Sequence, residues 1–140
     1  MGMDVQIADL TKHEDRRGFL VEFLKGIDLA GVQEAAFGQI YLTTIGPGHL
    51  RGNHYHEHFY EFFTVMHGRI HLTLEDVRTG ERMEMVLDAA DRPLPRVRYG
   101  PYVAHALLNP SDAVAVVVSY ATEPYDREHM DQIPYTVISP

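Results

Sequence analysis

Residues 48–68, GHLRGNHYHEHFYEFFTVMHG, carry five of the chain's nine histidines and run straight on into an aromatic, β-branched stretch. His54 and His56 stand two apart, which puts both imidazoles on one face if the segment is a strand. Glu61 follows after four residues, so a turn between two strands can return its carboxylate to the same patch. Further on, GPYVAHALLN (100–109) offers His105, with Asn109 four residues beyond. Three imidazoles and one carboxylate make a donor set for zinc, iron, manganese, nickel or copper rather than calcium or magnesium. Spacing alone does not choose among those metals. The chain has no cysteine, so any such site is built without thiolate.

Outward from this stretch, strand patterns dominate. IHLTLEDV (70–77) places Ile70, Leu72 and Leu74 on one face and His71, Thr73 and Glu75 on the other, the period of two expected of a half-buried strand. RTGE (78–81) then reads as a turn, and RMEMVL (82–87) resumes the alternation with Met83 and Met85, predicting a hairpin around Gly80. FGQIYLTTI (37–45), EFFTVM (61–66) and AVAVVVSY (113–120) are further runs bounded by turn residues. Only DLAGVQEAA (28–36) suggests a helix, and it carries about one turn of pattern. The expectation is an all-β sandwich or barrel.

The 140 residues fit one domain, 1–140, without internal repeat or linker. A formal net charge of −8, with no basic run longer than two residues, argues against nucleic acid as a partner. The first thirty residues hold acids throughout and no apolar run fit for a signal or a membrane span, so a cytoplasmic protein that does not engage a membrane is expected.

Gly48, His54, His56, Glu61 and Gly68 stand at the spacing of the complete first motif of the cupin superfamily, and the chain resembles that superfamily. The second motif is partial: His105 and Asn109 fit, whereas Gly100 and Tyr102 replace its usual proline and glycine. The resemblance implies a single-domain jelly roll, or double-stranded β-helix barrel, with the metal ligands His54, His56, Glu61 and His105 at the barrel mouth.

A narrower resemblance runs along most of the chain. FGQIYLTTIGPGHLRGNHYH (37–56), DRRGFLVEF (15–23) and SYATEPYDREH (119–129) are similar, in order, to segments of the dTDP-4-keto-rhamnose 3,5-epimerases. In that family's terms His54 is the general base, Tyr120 or Tyr125 the acid, Arg51 a phosphate or ring-oxygen ligand and Gln39 a nucleotide ligand. Arg17 and Glu22 then serve the nucleotide of a neighbouring subunit, which implies a homodimer. Two features depart from the epimerases: His56 replaces their glutamine, and after DQIPYTVISP the sequence lacks their C-terminal segment. RGNHYH (51–56) is more similar to the sugar-nucleotide 3,4-ketoisomerases and, most of all, to the zinc cupin domain of capsular-polysaccharide enzymes.

The expected activity is therefore a metal-dependent epimerisation at C3, or a 3,4-ketoisomerisation, of a nucleotide-linked 4-keto-6-deoxy sugar, with zinc the foremost metal. A base near neutrality and a stabiliser for the enolate oxygen are what α-proton abstraction needs, and histidine supplies the first. A histidine that ligates the metal is not also free as a base. The rival classes are a sugar-nucleotide-binding or sensory cupin without catalysis and a metal-dependent cupin dioxygenase.

Overall fold

The computed structural model describes residues 2–33 and 36–139. Its strands are β1 (Val5–Leu10), β2 (His13–Asp15), β3 (Gly18–Leu20), β4 (Gln39–Ile45), β5 (Leu50–Tyr55) and β6 (Glu61–His67). β7 (Arg69–Asp76), β8 (Arg82–Asp88), β9 (Leu94–Tyr99), β10 (Val103–Leu108), β11 (Ala115–Ala121) and β12 (Ile133–Pro134) follow. They form two five-stranded antiparallel sheets, ordered β1-β9-β6-β11-β4 and β12-β5-β10-β7-β8, with β2-β3 a separate hairpin.

Alternation places the core between the two sheets. Phe63, Val65, Val97 and Val117 from the first sheet meet Ile70, Leu72, Leu74 and Leu87 from the second, all essentially without exposure. Burying each such side chain contributes roughly 1.5–3 kcal/mol, so the inward row of β7 alone contributes an amount comparable to the net stability of a small domain. The expected β7-β8 hairpin is present, with Leu72 opposite Met85 and Leu74 opposite Met83. Gly80 turns it at φ +77°, donating its N–H to Asp76 O at 2.8 Å.

β9 and β10 were not legible as strands because LPRVRY and VAHALL mix charge or histidine into their runs. The structure explains the arginines: Arg96 points away from the core yet is buried, lying over the Phe62 ring at 5.1 Å and donating to Phe23 O and Asp28 Oδ2, both at 3.0 Å. It staples the stretch around residues 23–28 onto the outer face of the first sheet. That stretch holds the only helical turn among the described residues, a 3-10 turn at Gly26–Leu29, earlier and shorter than DLAGVQEAA suggested. Glu34 and Ala35 of that segment lie outside the described residues.

Burial disfavours ionisation of Asp28, but the Lys25 N–H and the Arg96 guanidinium outweigh it and hold its carboxyl below the ordinary 3.8. A depressed folded-state value stabilises the fold fully above the ordinary value, and that contribution is lost as pH falls through the folded value. Asp28→Asn is therefore expected to lower stability near neutrality and to flatten its acid limb, read by urea denaturation across pH.

The outer face of the second sheet is covered by the chain's last residues, with Val137 packed on Ala104 and Ala106 and flanked by Tyr55, Tyr135 and Ile138. Asn53 anchors this strap. Its Oδ1 accepts the N–H groups of Val137 and Ile138 at 2.9 and 3.2 Å, and its Nδ2 donates to Ile138 O at 2.9 Å. Its φ is +57°, a left-handed value that asparagine tolerates better than most residues. Asn53→Ala is expected to cost about 2–3 kcal/mol, combining lost hydrogen bonds with backbone strain. Asn53→Gly, relieved of the strain, should cost less, and the two urea midpoints make the comparison.

Candidate active site

Between the sheets lies a cavity of about 810 Å³. One wall comes from β4 and β11, where the inward rows place Gln39 and Tyr41 beside Ser119 and Ala121. The facing wall carries Arg51, His54 and His56 from β5 and its exit, and His105 from β10.

Gly52 sets the alignment of that wall. At φ +99° its absent Cβ would stand 2.5 Å from His105 O, so β5 rests against the backbone of β10 as only glycine permits. The register shifts at this point, and His54 comes directly opposite His105. Their rings meet edge to face at 4.5 Å, and the His56 ring is 5.3 Å from each. One ring nitrogen from each of the three lies within 4.8 Å of the others.

Glu61, at the start of β6 on the facing sheet, lines the same cavity beside this group. Its Oε2 accepts the hydroxyls of Tyr41 and Tyr99 at 2.7 and 2.6 Å, and its Oε1 lies 2.9 Å from His56 Nε2. That last contact lacks the alignment of a hydrogen bond, leaving His56 Nε2 a buried nitrogen in charge contact only. His56 Nδ1 is 2.6 Å from Asp131 O, and the ring stacks on Phe59 at 4.3 Å.

These neighbours pull the imidazoles apart electrostatically. Burial and the adjacent His56 lower His54 to about 4, so it is neutral near physiological pH. Burial and His54 lower His105 to about 3. Burial also disfavours the charged form of His56, but the Glu61 carboxylate and Asp131 outweigh it and raise the ring above its ordinary value. Burial likewise opposes ionisation of Glu61, yet His56, His105 and Tyr99 hold it down to about 2. The cavity thus sets two neutral imidazoles beside a third ring whose protonated form the Glu61 carboxylate favours.

The structure separates the two candidate acids. On β11, Ser119 and Ala121 line the cavity, so alternation sends Tyr120 to the opposite face. There its hydroxyl donates to Gln33 Oε1 at 2.5 Å, accepts the Gly38 N–H at 2.9 Å and meets Phe37 edge to face. Tyr120 is a buried anchor for the segment before β4, and its assignment as the acid is corrected on that ground. Tyr125 does line the cavity, in the segment between β11 and β12, with its N–H held by Gln39 Oε1 at 2.5 Å.

Arg51 reaches the cavity and donates through Nε to Thr44 O at 3.0 Å, bridging the two walls. Arg17 and Glu22 do not reach it: Arg17 pairs with Asp15 on the β2-β3 hairpin and Glu22 with Lys25, all exposed. The sequence reading missed Tyr41, Tyr99, Phe59 and Asp131. Tyr41 was within reach, since it follows Gln39 by two on an alternating strand. Tyr99 ends a strand masked by arginines, and Asp131 lies in a loop with no pattern.

The three imidazoles are the residues that would hold a divalent ion, although His105 Nε2 also lies 3.1 Å from the Tyr99 hydroxyl. His54 and His105 are neutral, and His56 turns an unbonded Nε2 inward while its Nδ1 is engaged by a backbone oxygen, the outer-shell arrangement usual for a ligating imidazole. Glu61 is the exception, its Oε2 already committed to two hydroxyls.

Two antiparallel sheets closed around a polar, histidine-lined cavity make a jelly-roll barrel, the fold of the cupins. Residues 13–133 match the model of the polysaccharide biosynthesis C-terminal domain, and the chain belongs to that family. Among solved structures, a dTDP sugar isomerase from Desulfovibrio desulfuricans G20 is 22% identical with a TM-score of 0.79, covering 95% of this chain and 85% of that one. QdtA, a sugar 3,4-ketoisomerase from Thermoanaerobacterium thermosaccharolyticum determined with TDP, is 20% identical with a TM-score of 0.76, covering 97% and 91%. The capsular polysaccharide assembling protein CapF from Staphylococcus aureus is 25% identical with a TM-score of 0.67, covering 93% of this chain and 33% of that one. The chain thus spans about a third of CapF. No curated protein matches it by sequence. No helix among the described residues is long and apolar enough to cross a membrane.

Proposed function

We propose that the protein is an isomerase of a nucleotide-linked 4-keto-6-deoxy sugar, acting by removal and return of a proton α to the keto group. The observation that carries this reading is the pair His54 and His56, two residues apart on one wall of the cavity, one ring free to face a ligand and the other braced by Glu61 and Asp131. Pairs of titratable groups driven apart by their surroundings are the usual mark of an acid and a base. His54 takes the proton from C3, and His56 supplies one to the oxygen on which negative charge develops. Loss of the C3 hydroxyl proton to His56 and return of the first proton to C4 complete a 3,4-ketoisomerisation. The two isomerases of matching fold, which cover nearly all of the chain, support the substrate class.

A second reading, C3 epimerisation, is favoured by Tyr125, whose phenol shares the cavity and could return the proton to the opposite face. In either reading Arg51 and Gln39 orient the diphosphate and the nucleoside. The His54, His56 and His105 group is also our candidate for a divalent ion, zinc first by its donors, which when bound would polarise the keto oxygen as a Lewis acid. His54 is then a ligand and not the base. We further infer a homodimer, supported by the exposed Ile40 and Leu42 on the outer face of edge strand β4, with Arg17 and Glu22 serving the partner's nucleotide.

Incubation with dTDP-4-keto-6-deoxyglucose and identification of the product tests the proposal. A 3-keto isomer or a C3 epimer supports it; unchanged substrate despite binding contradicts it and leaves a sugar-nucleotide-binding cupin. Metal content and activity before and after chelation then assign His54: activity surviving metal removal makes it the base, and activity lost and restored by zinc makes it a ligand.

A further inference from the structure

The segment from Thr122 to Gln132 connects β11 to β12 across the open side of the cavity and lines it with Tyr125, Asp126, His129 and Asp131. Its bonds to the rest of the barrel are unevenly placed. Tyr125 is tied by its N–H to Gln39, whereas its own hydroxyl meets Met130 Sδ at 3.3 Å. Asp131, by contrast, grips three consecutive residues at the exit of β5. Its Oδ1 accepts the Glu57 N–H at 2.7 Å, its Oδ2 accepts the His58 N–H at 2.8 Å, and its main-chain oxygen lies 2.6 Å from His56 Nδ1. A further contact joins Oδ2 to His58 Nδ1 at 3.2 Å. The Asp131 side chain is only 15% exposed, so these bonds are largely shielded from water.

We propose that Asp131 is a positioning residue for this site: it fixes the orientation and tautomer of His56 and, through the same bonds, holds the segment bearing Tyr125 closed over the cavity. A carbonyl oxygen can only accept, so the bond to Asp131 O requires the proton of His56 to be on Nδ1. A proton is thus held on Nδ1 whether or not Nε2 carries one, and Nε2, turned toward Glu61 and the cavity, is the nitrogen that gives up a proton or ligates an ion. The carboxylate places the carbonyl, because its two oxygens clamp the neighbouring N–H groups of Glu57 and His58 and thereby fix the backbone of residue 131 against the ring. Without the side chain the carbonyl can drift, and His56 loses the reason to prefer one tautomer. Backbone N–H bonds to a carboxylate are among the stronger hydrogen bonds, which suits this clamp role.

The kinetic part of this inference rests on the isomerase reading; the structural part does not. Long-range proton–nitrogen correlation spectra of the protein labelled at histidine nitrogens report the His56 tautomer without any substrate. The wild type is expected to show His56 protonated at Nδ1, and Asp131→Ala to show that preference lost. Asp131→Asn, which keeps one acceptor oxygen, should fall between them, and it preserves the test if the alanine variant folds poorly. In turnover, Asp131→Ala should lower kcat by about 10- to 100-fold, the usual cost of removing an outer-shell partner, with KM changing less. The asparagine variant should recover part of the loss. An unchanged His56 tautomer in a folded Asp131→Ala protein would overturn the proposal, as would a loss confined to KM. Absence of turnover in the wild type would refute the isomerase reading while leaving the tautomer result to judge Asp131 on its own.

Discussion

His54→Asn is expected to lower turnover by about 10²- to 10⁴-fold, the range that a positioned general acid or base contributes. The substitution removes the imidazole while keeping a polar side chain of comparable reach. His54 faces the cavity and two other imidazoles rather than the packed interior, so the urea midpoint should move little. Affinity for a nucleoside diphosphate should also persist, because Arg51 and Gln39 are untouched. The check is steady-state kinetics beside calorimetric titration of the nucleotide: a retained binding isotherm with collapsed kcat is the expected pair. Full activity in His54→Asn would remove His54 from the chemistry.

The second large effect falls on Glu61. Its carboxylate is buried and serves three partners: the Tyr41 and Tyr99 hydroxyls and the His56 ring. Glu61→Ala leaves two buried phenols without their acceptor and an imidazole without its counter-charge. Removing one member of a buried pair costs about 3–5 kcal/mol, a large fraction of a small domain's stability. Glu61→Gln retains an acceptor oxygen and the side-chain volume, so its urea midpoint should stand well above that of the alanine variant. Its activity should nevertheless fall, since the charge that favours imidazolium at His56 is gone. A Glu61→Ala protein as stable as wild type would show that the three contacts carry no net energy.

Much of this site could be read in advance because strand periodicity is a rigid rule. His54 and His56 share a face, and the β7-β8 hairpin follows from alternation and Gly80 alone; Gln39, singled out by the resemblance, lines the cavity. The same rule, applied once more, would have turned Tyr120 away and brought Tyr41 in. What alternation does not reveal is tertiary. Arg96 and Arg98 disguise β9 because their outward positions are covered by other parts of the chain, a fact with no local signature. Glu61 was legible as a carboxylate near the histidines, but its commitment to two tyrosines depends on β9 and β4 lying on either side of β6 in the same sheet. Asp131 acts across 75 residues of sequence, from a loop whose composition shows nothing of that role.

The most direct measurement is proton NMR of the protein with dTDP-4-keto-6-deoxyglucose in deuterium oxide, following the hydrogens on the carbons flanking the keto group. Deuterium entering at C3, and absent with His54→Asn, is the expected result. Retention of hydrogen at C3 while the nucleotide sugar is demonstrably bound would contradict α-proton chemistry in this cavity.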